Sequence, residues 1–237
     1  MLSRKGYKMR INKFISDRGI CSRREADKLI EEKRVTINGQ ICEMGTRVAN
    51  DDIVEIDGKP IGKKKKSVYI ALNKPVGITC TTERDVKGNI IDFINYPERI
   101  FHIGRLDKDS EGLILLTNDG DIVNRILRAE NNNEKEYIVT VNKKINKYFL
   151  DGMSSGVKIL GTITKTCKVE KINDRVFRII LTQGLNRQIR RMCQVFGYRV
   201  VKLKRIRIMN IKLDGLKTGD WRYLTKKELE ILIKNLE

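Results

Sequence analysis

The sequence predicts an α+β fold in two domains: a small N-terminal domain, and a larger domain built on a mixed, largely antiparallel sheet. Two observations lead to this prediction. Strand-like and helix-like segments follow one another without the strict βαβ rhythm of a parallel sheet. Four consecutive lysines, residues 63–66, separate a short basic region from the rest of the chain. Because like charges repel, we expect residues 62–67 to form a flexible linker between domain 1–61 and domain 68–237.

Composition and charge limit the classes of function that the chain can have. The chain has 237 residues, with 49 Lys and Arg against 30 Asp and Glu, which gives a net charge of +19. Such a surface attracts a polyanion, and counterion release from neutralised phosphates favours nucleic acid. The 5 cysteines form no C-x-x-C pair, so neither a disulfide framework nor a zinc site is expected. The absence of a secretory signal and of a membrane-length apolar run predicts a soluble, cytoplasmic protein.

The N-terminal region predicts two helices followed by a small hairpin sheet. The segment "MRINKFISDRG" has helical apolar spacing, and Ser22 and Glu25 have the spacing of a capping box at the start of a second helix. Asn38-Gly39, between alternating apolar residues, predicts a hairpin, and Asp57-Gly58 predicts a second turn.

The second helix carries a basic face. Its apolar side chains share one face, whereas Arg24 and Lys28 lie together on the opposite face, with Arg23 beside them. In an average protein, such a pattern is explained by a solvated helix surface. In a chain with this excess of positive charge, we expect these residues to contact nucleic-acid phosphates.

The larger domain contains further strand-like and helix-like segments. Strands are predicted at "SVYIALNKP", "EYIVTV", "RVFRIILTQG" and "RIMNIKL". Helices are predicted at "DIVNRILRA", "INKYFLDGMSSG", "RQIRRMCQVFG" and "TKKELEILIKNL". In the last of these helices, Thr225 and Glu228 have the spacing of another capping box.

Several kinds of catalysis find no support in the sequence. The single histidine, His102, excludes a His-rich metal site and argues against triad chemistry, although it could act alone as a general base or be structural. There is no phosphate-binding loop and no dinucleotide fingerprint, so no nucleotide cofactor is expected.

An acidic turn within "FHIGRLDKDSEGLILLTNDGD", residues 101–121, is the first candidate site. Polar residues between Gly104 and Gly112 lead directly into the apolar strand "LILLT". A glycine-bounded turn anchored by a buried strand can hold a reactive side chain rigidly. An acidic surface turn would have the same spacing, and the spacing leaves open whether Asp107 or Asp109 is the reactive group.

The segment "LTQGLNRQIRRMC", residues 181–193, is the second candidate site. On a helix, Arg187 and Arg191 lie opposite the apolar face, and Arg190 lies on the flank between them. A flanking arginine can reach into a cleft, where a carboxylate needs a positively charged partner. We therefore expect Arg190 to pair with Asp107, and the other two arginines either to be solvated or to contact phosphates.

These segments resemble a known family. The segment "GRLDKDSEGLILLTNDGD" resembles the hallmark of the RsuA-type pseudouridine synthases, with Asp107 in the place of the catalytic aspartate. The segments "KEYIVTV" and "GLNRQIRRM" resemble two further motifs, with Tyr137 in the place of the active-site tyrosine and Arg190 in that of the arginine that pairs with the aspartate. The segment "ALNKPVGI" is similar to the start of the catalytic domain. Ser110 stands where many members have threonine and keeps the hydroxyl group.

The resemblance extends over almost the whole chain. The segment "INKFISDRGICSRREADKLIEEKRVTING" resembles the S4-like RNA-binding domain. Within the group, "GRLDKDSEGLI", "QGLNRQIRRMC" and "RIMNIKL" look most like the F-type enzymes, which act on 23S ribosomal RNA. The fold implied is therefore an S4-like domain followed by a pseudouridine synthase catalytic domain.

The resemblance implies that the chain isomerises a uridine of ribosomal RNA, most of all 23S, to pseudouridine. This reaction needs no redox change, phosphate or metal, so no cofactor is expected, and a monomer is expected to bind the RNA. Asp107 would act as a nucleophile or as a base that removes a ribose proton, and Tyr137 would stack on the everted base. Residues expected to hold the RNA near the cleft are Lys74, Arg105, Arg187 and Arg191.

Two other functions fit parts of the sequence. A non-catalytic, ribosome-associated RNA-binding protein would use the S4-like domain and the basic surface alone. A metal-dependent nuclease would use Asp107, Asp109 and Asp119 together.

Overall fold

The computed structural model describes residues 8–49, 51–127 and 132–236. The chain divides into two compact units, each of which is described by itself. The small unit comprises the described residues of Met1–Ser67 together with Pro97–Ile100, and the large unit comprises those of Val68–Tyr96 and Phe101–Glu237.

The small unit combines two helices with short strands. Its elements are β1 (Met9–Arg10), α1 (Ile11–Asp17), α2 (Arg23–Glu31), β2 (Val35–Ile37), β3 (Gln40–Ile41), β4 (Arg47–Val48), β5 (Val54–Ile56) and β6 (Lys59–Pro60). The strands β3, β2, β5 and β6 form one antiparallel sheet in that order, and β1 pairs with β4. The helices pack on the sheet through a core that includes Ile11, Phe14, Ile15, Ala26, Ile30, Val35, Val48 and Val54.

Local sequence signals set the boundaries in this unit. Helix α2 begins with the predicted capping box, in which the Glu25 amide donates to Ser22 Oγ at 3.2 Å and the Ser22 amide donates to Glu25 Oε2 at 2.6 Å. Two backbone amides that helix geometry leaves free are thereby satisfied. The predicted hairpin is also present, because Asn38 and Gly39 adopt φ of 51° and 80° between β2 and β3.

The large unit is built on strands from its whole length. Its elements are β7 (Tyr69–Lys74), α3 (Ile90–Ile94), β8 (Phe101–Ile103), β9 (Glu111–Thr117), α4 (Gly120–Leu127), β10 (Lys135–Val141), α5 (Lys147–Ser154), β11 (Lys158–Ile159), β12 (Thr162–Ile163), β13 (Lys168–Asn173), β14 (Val176–Leu181), α6 (Gln188–Val195), β15 (Val200–Ile208), β16 (Ile211–Lys212), β17 (Trp221–Tyr223) and α7 (Lys226–Lys234).

One mixed sheet organises this unit. Within the described residues it has 9 strands, in the order β13-β14-β10-β15-β9-β7-β17, with β16 on β15 and β8 on β9. Only β9 and β15 run parallel in the described sheet. Their close approach requires a glycine, since a Cβ at Gly112 would lie 2.2 Å from the carbonyl oxygen of Arg205. The prediction of a mixed, largely antiparallel sheet is confirmed.

Helices cover the sheet through two apolar clusters. Helices α5 and α6 contribute to one cluster, whose members include Val139, Phe149, Met153, Phe177, Ile179, Ile189, Met192 and Cys193. Helices α4 and α7 contribute to the other, whose members include Ala71, Leu113, Leu115, Ile122, Ile126 and Leu232. The central strand β10 thus packs in the first cluster, and β9 packs in the second. The turn that leads into β9 is therefore anchored to a well-packed strand.

One predicted element differs from the structure, and another extends beyond the described residues. The segment "RIMNIKL" was expected to be one strand but forms a hairpin between β15 and β16, because Met209 adopts φ of 50° and turns the chain. The helix predicted at "DIVNRILRA" is α4, and its last two predicted residues lie outside the described residues.

All 5 cysteines are free thiols. In the part of the chain that the structure describes, every helix is too short or too polar to cross a membrane.

Candidate active site

The turn between β8 and β9 carries Asp107 and is closed by its own hydrogen bonds. The Ser110 amide donates to the Asp107 carbonyl at 3.0 Å. Arg190 Nη2 donates to the Asp109 carbonyl and to Ser110 Oγ, both at 3.0 Å. Ser110 is fully buried, so its hydroxyl is available to Arg190 without competition from water. The guanidinium group of helix α6 thus fixes the turn in place.

Arg187 binds the second carboxylate of the turn. Its Nη1 and Nη2 donate to Oδ1 and Oδ2 of Asp109 at 3.1 and 3.0 Å. Such a two-pronged pair is among the stronger ionic hydrogen bonds. These hydrogen bonds hold the pKa of the Asp109 carboxyl below its usual value.

Asp107 is close to both arginines but is not bound in the same way. Its Oδ2 lies 3.5 Å from Arg187 Nη1 and 3.8 Å from Arg190 Nε. Both distances exceed those of ordinary hydrogen bonds. Arg190 Nε is buried and has no hydrogen-bond acceptor among the described residues. Within the described residues, no group donates a hydrogen bond to the Asp107 carboxylate, which therefore faces two guanidinium groups while remaining available to a ligand.

Two adjoining cavities open beside this carboxylate. A small cavity of about 110 Å³ is lined by Asp107, Ser110, Tyr137 and Arg190, among others. A larger cavity of about 680 Å³ is also lined by Asp107 and Tyr137, and by Arg105 and Arg187. The larger volume falls within the range of roughly 300–1,000 Å³ that is typical of small-molecule sites. We call this larger space the main cavity.

Tyr137 reaches both cavities from the sheet. It lies on β10, where its backbone pairs with Ile179 on one side and with Arg205 on the other. The ring is half-buried and packs against the cluster covered by α5 and α6. One edge of the ring is thus anchored while the rest lines the cavities, which suits a surface for stacking a planar base.

Two protein-family models match this chain. Residues 68–195 match the RNA pseudouridylate synthase family, and residues 9–54 match the S4 domain. The chain belongs to the RNA pseudouridylate synthase family. It is 57% identical over 231 residues to the dual-specificity RNA pseudouridine synthase RluF of Escherichia coli K12, a match that covers 97% of this chain and 80% of that protein.

More distant relatives agree with this membership. The ribosomal large subunit pseudouridine synthase B of Bacillus subtilis is 34% identical and covers 94% of this chain and 95% of its own length. A solved crystal structure of a pseudouridylate synthase superposes with a TM-score of 0.70 at 31% identity, covering 94% of this chain and 99% of the other. The predicted family, fold class and enzyme class are confirmed, and the non-catalytic alternative loses its support.

The position of Lys74 corrects a prediction. This residue was expected to contact RNA, but in this pseudouridine synthase its side chain is fully buried. Its Nζ donates to the carbonyl oxygens of Pro75 and Ile78 at 2.8 and 2.9 Å. Burial lowers the pKa of Lys74. The lysine therefore fastens the loop after β7 and is not exposed for RNA contact.

The arginines of the second candidate site also differ from expectation. Arg187 was expected to be solvated or to contact phosphate from the helix surface, but it precedes α6 in a left-handed conformation, with φ of 50°, and turns towards Asp109. Arg191 donates to the carbonyl and side-chain oxygens of Asn186 at 3.1 and 3.2 Å and does not line either cavity. Arg105 is exposed and lines both.

The small unit presents its cations on α2. Arg23, Arg24 and Lys28 are exposed, whereas Ala26 and Ile30 of the same helix are buried. We call these three cations the α2 basic face. None of them makes a hydrogen bond or ion pair with another described residue, so all three are available to a polyanion.

Two buried cations of the main cavity were missed from the sequence. Lys135 and Arg205 both line it. Lys135 precedes Tyr137 by two positions, and side chains at such spacing share one face of a strand. That alternation was a usable signal for Lys135. Nothing local pointed to Arg205, which reaches the cavity only because β15 pairs with β10.

His102 and Asp119, the remaining candidate residues, make hydrogen bonds that stabilise the fold. His102 Nδ1 lies 2.7 Å from the Gly104 carbonyl, to which it must donate, and burial lowers the pKa of the imidazole. Asp119 accepts a hydrogen bond from the Tyr69 hydroxyl at 2.7 Å, beyond the far end of β9 from Asp107. In residues 8–49, 51–127 and 132–236, no three potential metal ligands lie together. The described residues do not bring Asp107, Asp109 and Asp119 together, so the nuclease alternative has no geometric support among them.

Proposed function

We propose that this pseudouridine synthase isomerises a uridine of 23S ribosomal RNA, acting as a cytoplasmic monomer without a metal or an organic cofactor. The name of the Bacillus subtilis relative, a ribosomal large subunit pseudouridine synthase, supports an RNA of the large ribosomal subunit as the substrate. The dual specificity named for two relatives at 58% and 57% identity supports a second RNA substrate as well.

The observation that carries the proposal is the Asp107 carboxylate at the mouth of two cavities. It faces two guanidinium groups at 3.5 and 3.8 Å and accepts no hydrogen bond from the described residues. By contrast, the neighbouring Asp109 is fully engaged by Arg187. Asp107 is therefore the carboxylate of the turn that is free to act on a ligand.

The reaction is an isomerisation within one nucleotide. The bond between N1 of uracil and C1′ of ribose breaks, the base turns, and a bond forms between C5 and C1′, while the proton on C5 leaves and N1 gains a proton. Asp107 acts either as a nucleophile or as a base that removes a ribose proton. As a nucleophile its oxygen would approach the sugar or the base, and as a base it would approach the ribose. Each of these routes agrees with a carboxylate that lines the cavity without a fixed partner.

Arg190 positions the carboxylate. Its Nη2 fixes the turn through Asp109 and Ser110, and its buried Nε points towards Asp107. The guanidinium charge complements the carboxylate charge, and the rigid turn limits the movement of the reactive oxygens. Arg187 adds a second positive charge, with its Nη1 3.5 Å from the same carboxylate oxygen, Asp107 Oδ2.

Tyr137 receives the everted base. A uridine must leave its stack to reach Asp107, at a cost of a few kcal/mol. Stacking of the uracil on the half-buried Tyr137 ring recovers part of that cost. The remaining contacts are electrostatic: the α2 basic face, Arg105, Arg187 and Arg191 hold the surrounding RNA, and residues 62–67 link the two domains.

The proposal is tested by mapping pseudouridines in total RNA from a strain that lacks the gene. We expect a pseudouridine of 23S RNA to disappear and to return when the wild-type chain is expressed. The Asp107→Asn variant should not restore it. Asp174→Asn, the same change in an exposed loop, should restore it and serves as the matched control. An unchanged map in the deletion strain would contradict the proposed function.

A further inference from the structure

Two buried cations face the main cavity from neighbouring strands. Lys135 lies on the same face of β10 as Tyr137, and Arg205 of β15 is the cross-strand partner of Tyr137. Both residues line the main cavity together with Tyr137 and Asp107. They therefore lie on the sheet side of the space that the everted uridine is proposed to enter.

Neither cation has an anionic partner among the residues that the structure describes. Lys135 is 8% exposed, and its Nζ donates to the backbone carbonyl of Asn133 at 3.0 Å. Arg205 is 4% exposed, and its Nε donates to the carbonyl of Leu113 at 2.6 Å. Arg205 Nη2 is buried without any hydrogen-bond acceptor. Within the described part of the chain, no carboxylate forms an ion pair with either side chain.

This arrangement is electrostatically unfavourable in the free protein. Burial and the positive charge of Arg205 lower the pKa of Lys135 to about 8. Buried charges are ordinarily paired, because an unpaired one loses its hydration without compensation. The described part of the cavity wall does not provide that compensation. Among its described lining residues Asp107 is the one carboxylate, against the cations Arg105, Lys108, Lys135, Arg187 and Arg205. A bound anion would supply the missing partner.

We propose that Lys135 and Arg205 form an anion subsite that binds a phosphodiester group of the RNA beside the everted uridine. The choice of a phosphodiester rests on the proposed function, since a nucleotide that enters the cavity brings a phosphate on each side of its ribose. The planar fork of arginine matches phosphate oxygens, and the lysine ammonium adds a compact positive charge. Arg205 Nη2 has no hydrogen-bond acceptor among the described residues of the free protein, and a phosphate oxygen would be the acceptor that it lacks.

The subsite predicts a measurable response of Lys135 to phosphate. The pKa of the Lys135 amino group is followed by NMR of lysine side chains in the wild-type chain, with and without inorganic phosphate. The signal is assigned by its loss in Lys135→Arg. We expect phosphate to raise the pKa of Lys135 to about 9 or higher, because a nearby anion favours the charged form. A pKa that stays the same at saturating phosphate would overturn the subsite.

Two control variants sharpen this measurement. Lys108→Met removes an exposed cation of the same cavity and should leave the phosphate-induced rise intact. Arg205→Met removes the proposed second ligand and should abolish the rise. A rise that persists in Arg205→Met would contradict the proposed pair. Since the main measurement uses the wild-type chain, it does not depend on how a substitution affects folding.

A second experiment locates the phosphate on RNA. Single phosphodiesters around the target uridine are replaced by neutral methylphosphonates, and binding is measured for the wild type and for Lys135→Met. We expect one replacement to weaken RNA binding by the wild type roughly tenfold. The same replacement should not weaken RNA binding by Lys135→Met any further, because both changes remove the same contact. Additive effects at every position would overturn the assignment to RNA.

The outcomes separate this inference from the proposed function. If phosphate raises the pKa of Lys135 but the pseudouridine map is unchanged, the subsite stands and the assigned reaction fails. If the map changes as expected but phosphate leaves the pKa of Lys135 unchanged, the reaction stands and the subsite fails.

Discussion

The turn around Asp107 and the α2 basic face both present charges, but they hold them differently. In the turn, Arg190 is 14% exposed and is fixed by hydrogen bonds to Asp109 and Ser110. On α2, the cations are exposed and make no such bonds with the described residues. The difference teaches where precision is needed. Chemistry on one sugar requires fixed atoms, whereas attraction of a polyanion depends mainly on how many phosphates are neutralised.

The largest expected effect is that of Asp107→Asn, which keeps the shape of the side chain and removes its charge. We expect the rate of pseudouridine formation to fall at least about 10³-fold while RNA affinity is retained. Asp109→Asn is the informative control, because it breaks the fork with Arg187 but leaves the Asp107 carboxylate in place, and it should stay within about tenfold of wild type. Loss of all activity in Asp109→Asn alone would reverse the assignment of the two aspartates.

The next effect concerns Arg190. Arg190→Lys keeps the positive charge but cannot donate to the turn and face Asp107 at the same time. We expect kcat to fall by about 10²-fold with little change in KM for RNA, since the loss lies in the geometry of the reactive group. Arg191→Lys, on the same helix but bound to Asn186, should remain close to wild type. A rise in KM with unchanged kcat would show that Arg190 serves binding instead.

A smaller effect is expected on the α2 basic face. The double variant Arg24→Ala, Lys28→Ala removes two positive charges and no hydrogen bond to another described residue. We expect RNA affinity to fall roughly three- to tenfold and the slope of log K against log salt to flatten by about 1–2, with kcat on saturating RNA retained. The matched control, Lys226→Ala with Lys227→Ala on α7, removes the same charge. An identical loss in both variants would mean that net charge, and not α2, sets the affinity.

The smallest effect on function is expected outside both regions, at the start of α7. Glu228 accepts two hydrogen bonds from Arg222, at 2.7 and 2.8 Å, and one from the Thr225 amide at 2.8 Å. These bonds lower the pKa of Glu228 from 4.5 to about 2. Its charge therefore stabilises the fold fully above its ordinary pKa of 4.5, and this contribution is lost as the pH falls towards 2.

Glu228→Gln should accordingly destabilise the chain by about 2–3 kcal/mol near neutral pH. Denaturant unfolding measures this difference, which should shrink as the pH is lowered below about 4. Activity at moderate temperature should be unchanged. A loss of activity without a loss of stability would extend the functional region beyond the cavity.

Local signals in the sequence were sufficient for many elements. The capping boxes of α2 and α7 and the Asn38-Gly39 hairpin depend on residues within a few positions of each other. The Asp107 turn was found for the same reason, because its glycines and the following apolar strand are contiguous. Such features depend on backbone conformation and short-range hydrogen bonds, which can be predicted from neighbouring residues in the sequence.

Features that depend on long-range pairing were less accessible. Sequence spacing could not separate Asp107 from Asp109, since the distinction comes from Arg187, 78 positions away from Asp109. It also could not reveal that Lys74 is buried. Arg205 meets Lys135 only through the pairing of β10 with β15, and no local pattern encodes that pairing. The role of a charged side chain thus depends on its burial and on the residues that it contacts, and both are set only when distant segments pair in the fold.

The most direct test of the central claim is a crystal structure of the Asp107→Asn variant bound to RNA that contains the target uridine. We predict that the uridine is everted into the main cavity, with its base against Tyr137 and its ribose C1′ beside residue 107. A uridine that remains stacked in the RNA, or that binds elsewhere and leaves this cavity vacant, would contradict the claim that the Asp107 carboxylate acts on an everted nucleotide.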